Sequence, residues 1–212
     1  MRLCIHELDR YLEKSPRRSG VAVLAGPLLA YPEVVALDIA KRCLLSEPDL
    51  RLLYVMILDD PAYIYDVARG MGLDLAFQER AGRAQVVSSS SLEEALGASL
   101  SAGDRTLIIV DATSGLGGDF RIEGLAEVFA SARQRKDFLL LLVVNPQTVP
   151  EHIISVMAEM ADLYMRLHSE ETTMGLERSL SVLYYKGGLI PFLKLHYSIG
   201  PEGVSYSLRL EV

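Results

Sequence analysis

VAVLAGPLLAYPEVVALDI, Val21 to Ile39, is the stretch that decides the fold. An apolar strand, Val21 to Ala25, runs into a Gly26-Pro27 turn, and that turn leads to an amphipathic helix after Pro32. The helix repeats apolar residues at Val34, Val35, Ile39 and Leu44-Leu45, which predicts an inward stripe. Glu47-Pro48-Asp49 ends it. Upstream, residues 3–14 form a short helix candidate with Leu3, Leu8, Tyr11 and Leu12 on one side. The Pro16-Arg17-Arg18-Ser19-Gly20 segment separates it from the strand, its arginines reading as a solvated pair at a turn.

Downstream, the same unit repeats. Leu52 to Leu58 is a near-continuous apolar strand, the pattern of a sheet covered on both faces. Asp60-Pro61 then supplies an N-cap and a first-turn proline to a helix ending around Gly70 and Gly72. Ala84 to Val87 is a short strand. Ser88 to Ser91 is a polar loop with an N-cap at its end, and Leu92, Ala95, Leu96 and Leu100 mark a helix face. Thr106 to Val110 is a buried strand ending in Asp111, followed by a glycine-rich loop. Ile122, Leu125, Ala126 and Phe129 give the next helix, Phe138 to Val144 the next strand, and Pro150 starts a helix with Ile153, Ile154, Met157 and Ala161 inward. Alternation then stops. Leu163–Leu167, Ser179–Tyr185, Phe192–Tyr197 and Val204–Leu210 read as strands joined by turns at Gly187-Gly188 and at Gly200 to Gly203. The expected fold is α/β, a mainly parallel sheet flanked by helices with a C-terminal antiparallel extension, in one domain spanning 1–212.

Composition narrows the function classes. Half of the 212 residues are hydrophobic, which excludes a disordered chain. A net charge of -7 argues against a dominant electrostatic footprint for nucleic acid, so no direct contact with it is expected. The N-terminus has no apolar signal segment, and the longest apolar run, Phe138 to Val144, is too short to span a bilayer. Cys4 and Cys43 show no paired spacing and read as reduced thiols of a cytoplasmic protein. His6, His152, His168 and His196 are scattered without metal-ligand spacing, so no metal site is expected. There is no G-x-S-x-G elbow, although a Ser-His-Asp triad stays open at this stage.

The order of these pieces resembles the KaiC-like branch of the RecA superfamily of P-loop ATPases over most of the chain. IHELDRYL stands where that family has a short helix before its P-loop strand. LYVMILDDPAYIYDVARGMGLDL resembles its second strand, acidic pair and following helix. TLIIVDATSGL resembles its Walker B strand, and RSLSVLYYKGG its late strand, which carries basic residues toward a neighbouring subunit's nucleotide. The resemblance implies a RecA-like sheet.

Against the family's phosphate loop, G-x-x-x-x-G-K-[ST], only the opening Gly26-Pro27 matches. Tyr31 stands where the second glycine belongs. Pro32 replaces the charge-neutralising lysine and removes a backbone donor. Glu33 replaces the magnesium-ligating hydroxyl with a negative charge. A phosphate cradle needs inward-turned backbone N–H groups, and this loop is degenerate in that respect.

Two acids remain as relic candidates. Asp59 stands at the family's water-activating position, and its plainer reading is a strand-end acid bonding loop amides. Asp111 stands at the Walker B position, and its plainer reading is an acid that orders the following loop, because a lone aspartate without phosphates holds magnesium poorly. Gly115, Gly117 and Gly118 do not make a dinucleotide fingerprint, since Phe120 occupies the third glycine position. They read as a mobile loop, which the resemblance turns toward a ring axis as an interaction loop. Lys186, beside Tyr184 and Tyr185, matches the basic strand end that senses a neighbour's phosphate, or is simply a solvated lysine.

The expectation is a pseudo-ATPase without cofactor, read as a non-enzyme because the Walker A lysine and hydroxyl are absent, that acts as a structural or regulatory subunit through self-association or pairing with an active RecA-like homologue. The alternatives are a residual ATP and magnesium binder or slow ATPase using Asp59 and Asp111, and an accessory factor in DNA recombination or repair.

Overall fold

The computed structural model describes residues 2–12, 19–117, 122–135, 137–173, 175–187 and 193–208. The first half runs α1 (His6–Leu12), β1 (Gly20–Ala25), α2 (Pro32–Ser46), β2 (Arg51–Ile57), α3 (Pro61–Gly70), α4 (Leu75–Arg80), β3 (Ala84–Ser89) and α5 (Leu92–Ser101). The second half runs β4 (Thr106–Ala112), α6 (Ile122–Gln134), β5 (Phe138–Val144), α7 (Glu151–Met160), β6 (Leu163–Thr172), β7 (Gly175–Tyr185), β8 (Leu193–Gly200) and β9 (Gly203–Leu208). All the strands join one nine-stranded sheet in the order β3-β2-β4-β5-β1-β6-β7-β8-β9. The first six of that order are parallel, and β7, β8 and β9 add in antiparallel fashion. This is the mixed α/β architecture expected from the alternation followed by a meander.

Strand periodicity divides the core in two. Leu24, Tyr54, Met56, Ile109 and Val143 point to the face covered by α1, α2, α3 and α4. Val23, Val55, Val110 and Leu142 point to the face covered by α5, α6 and α7. Helix α2 is the most enclosed of these, because the β8–β9 hairpin also reaches it. Buried Asp38 accepts from the Val204 N–H at 3.1 Å and from Arg42 Nε at 2.6 Å, and Lys41 Nζ donates to the Glu202 carbonyl at 2.9 Å.

Local signals account for the helix starts. Asp60 accepts from the Ala62 N–H at 2.9 Å, and Ser91 accepts from the Glu94 N–H while Glu94 reaches back to the Ser90 N–H. Several expectations are corrected. Leu45 is 74 % exposed, since one step past buried Leu44 rotates a side chain by about 100° around the helix. Ala126 is exposed, and Val128 and Ala132 fill the inward stripe of α6 beside Leu125 and Phe129. Helix α4, capped by Asp74 on the Phe77 N–H, was not anticipated. Cys4 and Cys43 are not reduced thiols. They form a disulfide, with Cα atoms 5.3 Å apart, that ties the N-terminal segment to the last turn of α2. The cysteines therefore no longer argue for a reducing compartment. Among the described residues no helix is long and apolar enough to cross a membrane.

Candidate functional site

The C-terminal ends of the parallel strands bring the turn after β1, the end of β2 and the end of β4 together at the start of α2. In open α/β sheets this edge is where ligands are received. Gly26 is required there by close approach, because a Cβ on it would lie 2.8 Å from Leu167 Cβ of β6. After Pro27, residues Leu28–Ala30 form one 3-10 turn, and Tyr31 takes a left-handed conformation at φ 50°. That turn consumes its own donors. The Ala30 N–H bonds the Pro27 carbonyl (2.9 Å), the Tyr31 N–H bonds Leu28 (3.0 Å), and those of Val34 and Val35 both bond Tyr31 (3.1 Å each). Gly26 N–H bonds the Val144 carbonyl at 3.0 Å, and Pro27 and Pro32 have no N–H. The start of α2 therefore lacks the row of free amides that makes a helix N-terminus an anion site.

Side chains from the antiparallel extension hold the turn in place. Arg178 Nε of β7 donates to the Leu29 carbonyl at 3.0 Å, with its guanidinium 5.1 Å over the Tyr31 ring. Tyr197 of β8 donates its hydroxyl to the Ala30 carbonyl at 2.6 Å.

Three acids face one another below this turn. Glu33 sits in the first turn of α2 and is only 5 % exposed. The Tyr63 hydroxyl of α3 approaches its Oε1 at 3.5 Å, while its Oε2 is buried with no hydrogen-bond partner. Burial pushes the Glu33 carboxyl up to about 7, with the charges of Asp111 and Asp59 adding to the shift; its own backbone N–H and the Tyr63 hydroxyl oppose it. Asp111 on β4 is buried, and its carboxyl is also raised by desolvation. It accepts from the Tyr54 hydroxyl at 2.7 Å, from Thr113 Oγ1 at 2.7 Å and from the Thr113 N–H at 3.1 Å, so it does order the start of the following loop. Asp59 accepts from the Ser114 hydroxyl at 2.5 Å rather than from loop amides. Among the described residues no group of His, Cys, Asp or Glu is placed to hold a metal ion.

Large apolar side chains crowd the rim of the same edge. Leu28, Leu29, Leu58 and Tyr63 are each more than half exposed. Leu58 is held at φ 64°, a left-handed conformation that a leucine adopts only under strain.

The structure thus gathers Gly26, Pro27, Pro32, Glu33, Asp59 and Asp111 at one place, and puts Gly115 beside Leu58. Gly115 is buried, and Gly117 at φ 61° packs so tightly against the Ser90–Ser91 backbone that no Cβ would fit. The Leu116 carbonyl accepts from the Leu92 N–H at 2.6 Å. The described part of this loop is therefore seated against α5, not free as expected. Gly118 lies outside the described residues, as do Arg17 and Arg18.

Lys186 is not at this edge. Tyr185 pairs with Leu163 at the start of β6, so Lys186 lies at the opposite end of the strands, its N–H on the Asp162 carbonyl. The basic residue of that strand at the acidic edge is Arg178, and the antiparallel sense of a hairpin already implied that the beginning of β7, not its end, lies there. Tyr54, Tyr63 and Tyr197 were also missed.

The ends of the strands differ in charge as well. A cavity of about 540 Å³ at the far end is lined by Arg2, Glu47, Asp49, Arg105 and Asp137 among others, and there Arg105 pairs with Asp49 at 2.9 Å and Arg2 with Glu47 at 3.9 Å. Compared with known proteins, the chain matches no protein-family model and no curated protein.

Proposed function

We propose that this chain is a RecA-type domain of the KaiC-like kind whose nucleotide edge has become a protein-association surface. It serves as a structural or regulatory subunit, self-associating or paired with an active RecA-like homologue, and performs no ATP chemistry of its own. The observation that carries the reading is the turn from Gly26 to Val35, where the amides of Gly26, Ala30, Tyr31, Val34 and Val35 are spent on carbonyls, Pro27 and Pro32 have none, and a buried carboxyl, Glu33, stands where the resemblance puts a magnesium-binding hydroxyl. Two unit charges about 4 Å apart repel by roughly 1–4 kcal/mol in water-like to surface-like surroundings, so an ionised Glu33 disfavours a polyphosphate. That penalty fades as Glu33 takes up its proton near pH 7, but the missing amides weaken phosphate binding at every pH. The exposed leucines at the rim give the same edge an apolar surface suited to a protein partner.

Calorimetry with ATP and magnesium tests the first half, and no heat of binding is expected at millimolar nucleotide. Binding that appears and vanishes in Asp111→Ala would return the chain to the ATPases. Light scattering after size exclusion tests the second half. A strict monomer that also captures no RecA-like partner would remove the association reading.

A further inference from the structure

The antiparallel extension carries a polar trough that the association reading does not use. On β6, β7 and β8, Leu167, Leu180 and Leu195 point into the core on the α2 side, so their neighbours His168, Ser179, Ser181, Lys194 and His196 stand on the opposite face. The helices of that side, α5, α6 and α7, pack chiefly on the parallel strands. Register sets the polar residues in rows across the three strands, Arg166–Ser181–Lys194 and, beside it, His168–Ser179–His196. Small serines in the middle strand between long side chains leave a cavity of about 240 Å³, lined by both serines, both histidines and Lys194. The serines are nonetheless buried, Ser179 at 6 % and Ser181 at 2 % exposure. Among the described residues no hydrogen bond holds either hydroxyl or either imidazole.

Hydroxyls and imidazole N–H groups are donors, and the ammonium of Lys194 with the guanidinium of Arg166 makes this part of the trough positive. Desolvation first, then the charges of Arg166 and Lys194, lower the His168 pKa, so the imidazole feels that field. The acids Glu170 and Glu177 lie opposite each other one row further out, and Arg178, which also lines the cavity, is engaged with the Leu29 carbonyl and the Tyr31 ring. Among the described residues these acids and histidines are not grouped for a metal ion. Open donors beside positive charge suit a ligand with several acceptor oxygens and a negative charge. We infer that the trough binds a small oxyanion, inorganic phosphate or a phosphate monoester, through the Ser179 and Ser181 hydroxyls and the His168 and His196 rings, with Lys194 and Arg166 supplying the charge. The site uses no residue of the Glu33 edge and does not rest on the association reading.

NMR of the histidine rings reads the site while sodium phosphate, and in a second series glycerol phosphate, is titrated into the full chain at constant ionic strength. Saturable shifts confined to His168 and His196 are expected at millimolar ligand, with the His168 pKa rising because a bound dianion favours the imidazolium. Ser179→Val, which removes a hydroxyl and narrows the trough, and Lys194→Met, which removes a charge, should each weaken binding about tenfold. Unchanged His6 and His152 signals show that each variant is folded. A monoester that binds more tightly than free phosphate makes this a site for a phosphorylated compound, and equal affinities make it a site for the ion itself. Silent His168 and His196 rings, shifts shared by all the histidines, equal shifts when sodium chloride replaces phosphate, or binding unmoved in both folded variants would overturn the inference.

Discussion

The two ends of the parallel strands are built by opposite rules of charge. At the N-terminal end, arginines meet the acids and carbonyls that need them. Arg133 Nε lies 2.9 Å and 3.0 Å from the two oxygens of Asp162, whose Oδ2 also accepts from the Val21 N–H at 3.0 Å. Arg83 caps the end of α2 through the Leu44 carbonyl at 2.6 Å, and Arg135 caps α5 through the Leu100 and Ala102 carbonyls. At the C-terminal end, Glu33, Asp59 and Asp111 meet phenols, hydroxyls and one another. Backbone strain does not separate the two, for Arg105 and Asp137 are left-handed at one end as Tyr31 and Leu58 are at the other. What separates them is charge pairing. The first end is finished by the fold, and the second is unfinished in charge, since among the described residues no ion pair involves Glu33, Asp59 or Asp111.

The largest test of the finished end is its covalent brace. The Cys4–Cys43 disulfide closes a loop with a sequence separation of 39, and loop-closure entropy makes that worth about 3–4 kcal/mol. Cys43→Ser should therefore lower the urea midpoint markedly without altering the Glu33 titration. A change at Glu33 would mean that the two ends are coupled through α2.

Glu33→Gln tests the unfinished end and carries the opposite sign. The Glu33 carboxyl is raised from 4.5 in the unfolded chain to about 7 when folded. Between those values the unfolded chain has lost a proton that the native state keeps, so stability falls as pH rises through that window. The cost is complete above the folded value and reaches as much as about 3 kcal/mol. Glu33→Gln should therefore stabilise the protein at about pH 8 and change little at about pH 4. Paired denaturation curves at the two values check it, and a variant less stable at the higher pH would show that the acid already has a partner. Arg133→Ala belongs to the finished end and should cost about 2 kcal/mol by stranding the half-buried Asp162. A flat response would put the pair among the surface bridges that contribute nothing measurable.

How much of this could be read from the sequence depends on the range of the forces involved. Strand β5 was legible to the residue because Phe138 to Val144 is an unbroken apolar run, and Asp60 and Ser91 were legible because capping acts within four residues. The pairing of Cys4 with Cys43 was not, since it depends on the N-terminal segment folding back onto α2. Tyr54 read as one more apolar residue of β2, and only the register of β2 against β4 reveals its phenol bonded to Asp111. The resemblance to a phosphate loop pointed to Gly26, Pro32 and Glu33. Arg178 was passed over for Lys186 because the charge beside the glycines is easier to see than the direction of a strand. Chemistry was legible where it is local, and geometry where periodicity carries it.

The smallest effect bears most directly on why the open end exists. Leu58 keeps an exposed side chain on a left-handed backbone, a conformation that costs a residue with a Cβ about 1–2 kcal/mol. Glycine relieves that strain but adds about 0.5–1 kcal/mol of unfolded-state freedom, so Leu58→Gly should gain only about 0.5 kcal/mol in the isolated chain. If the leucine is kept for stability the variant loses stability instead, because an exposed side chain then contributes more than its strain. If it is kept for a partner, the small gain comes with weaker association, read as a shift toward monomer in light scattering or a lower yield in pull-down. A side chain that costs stability at home and restores binding away from it is the signature expected of a docking edge.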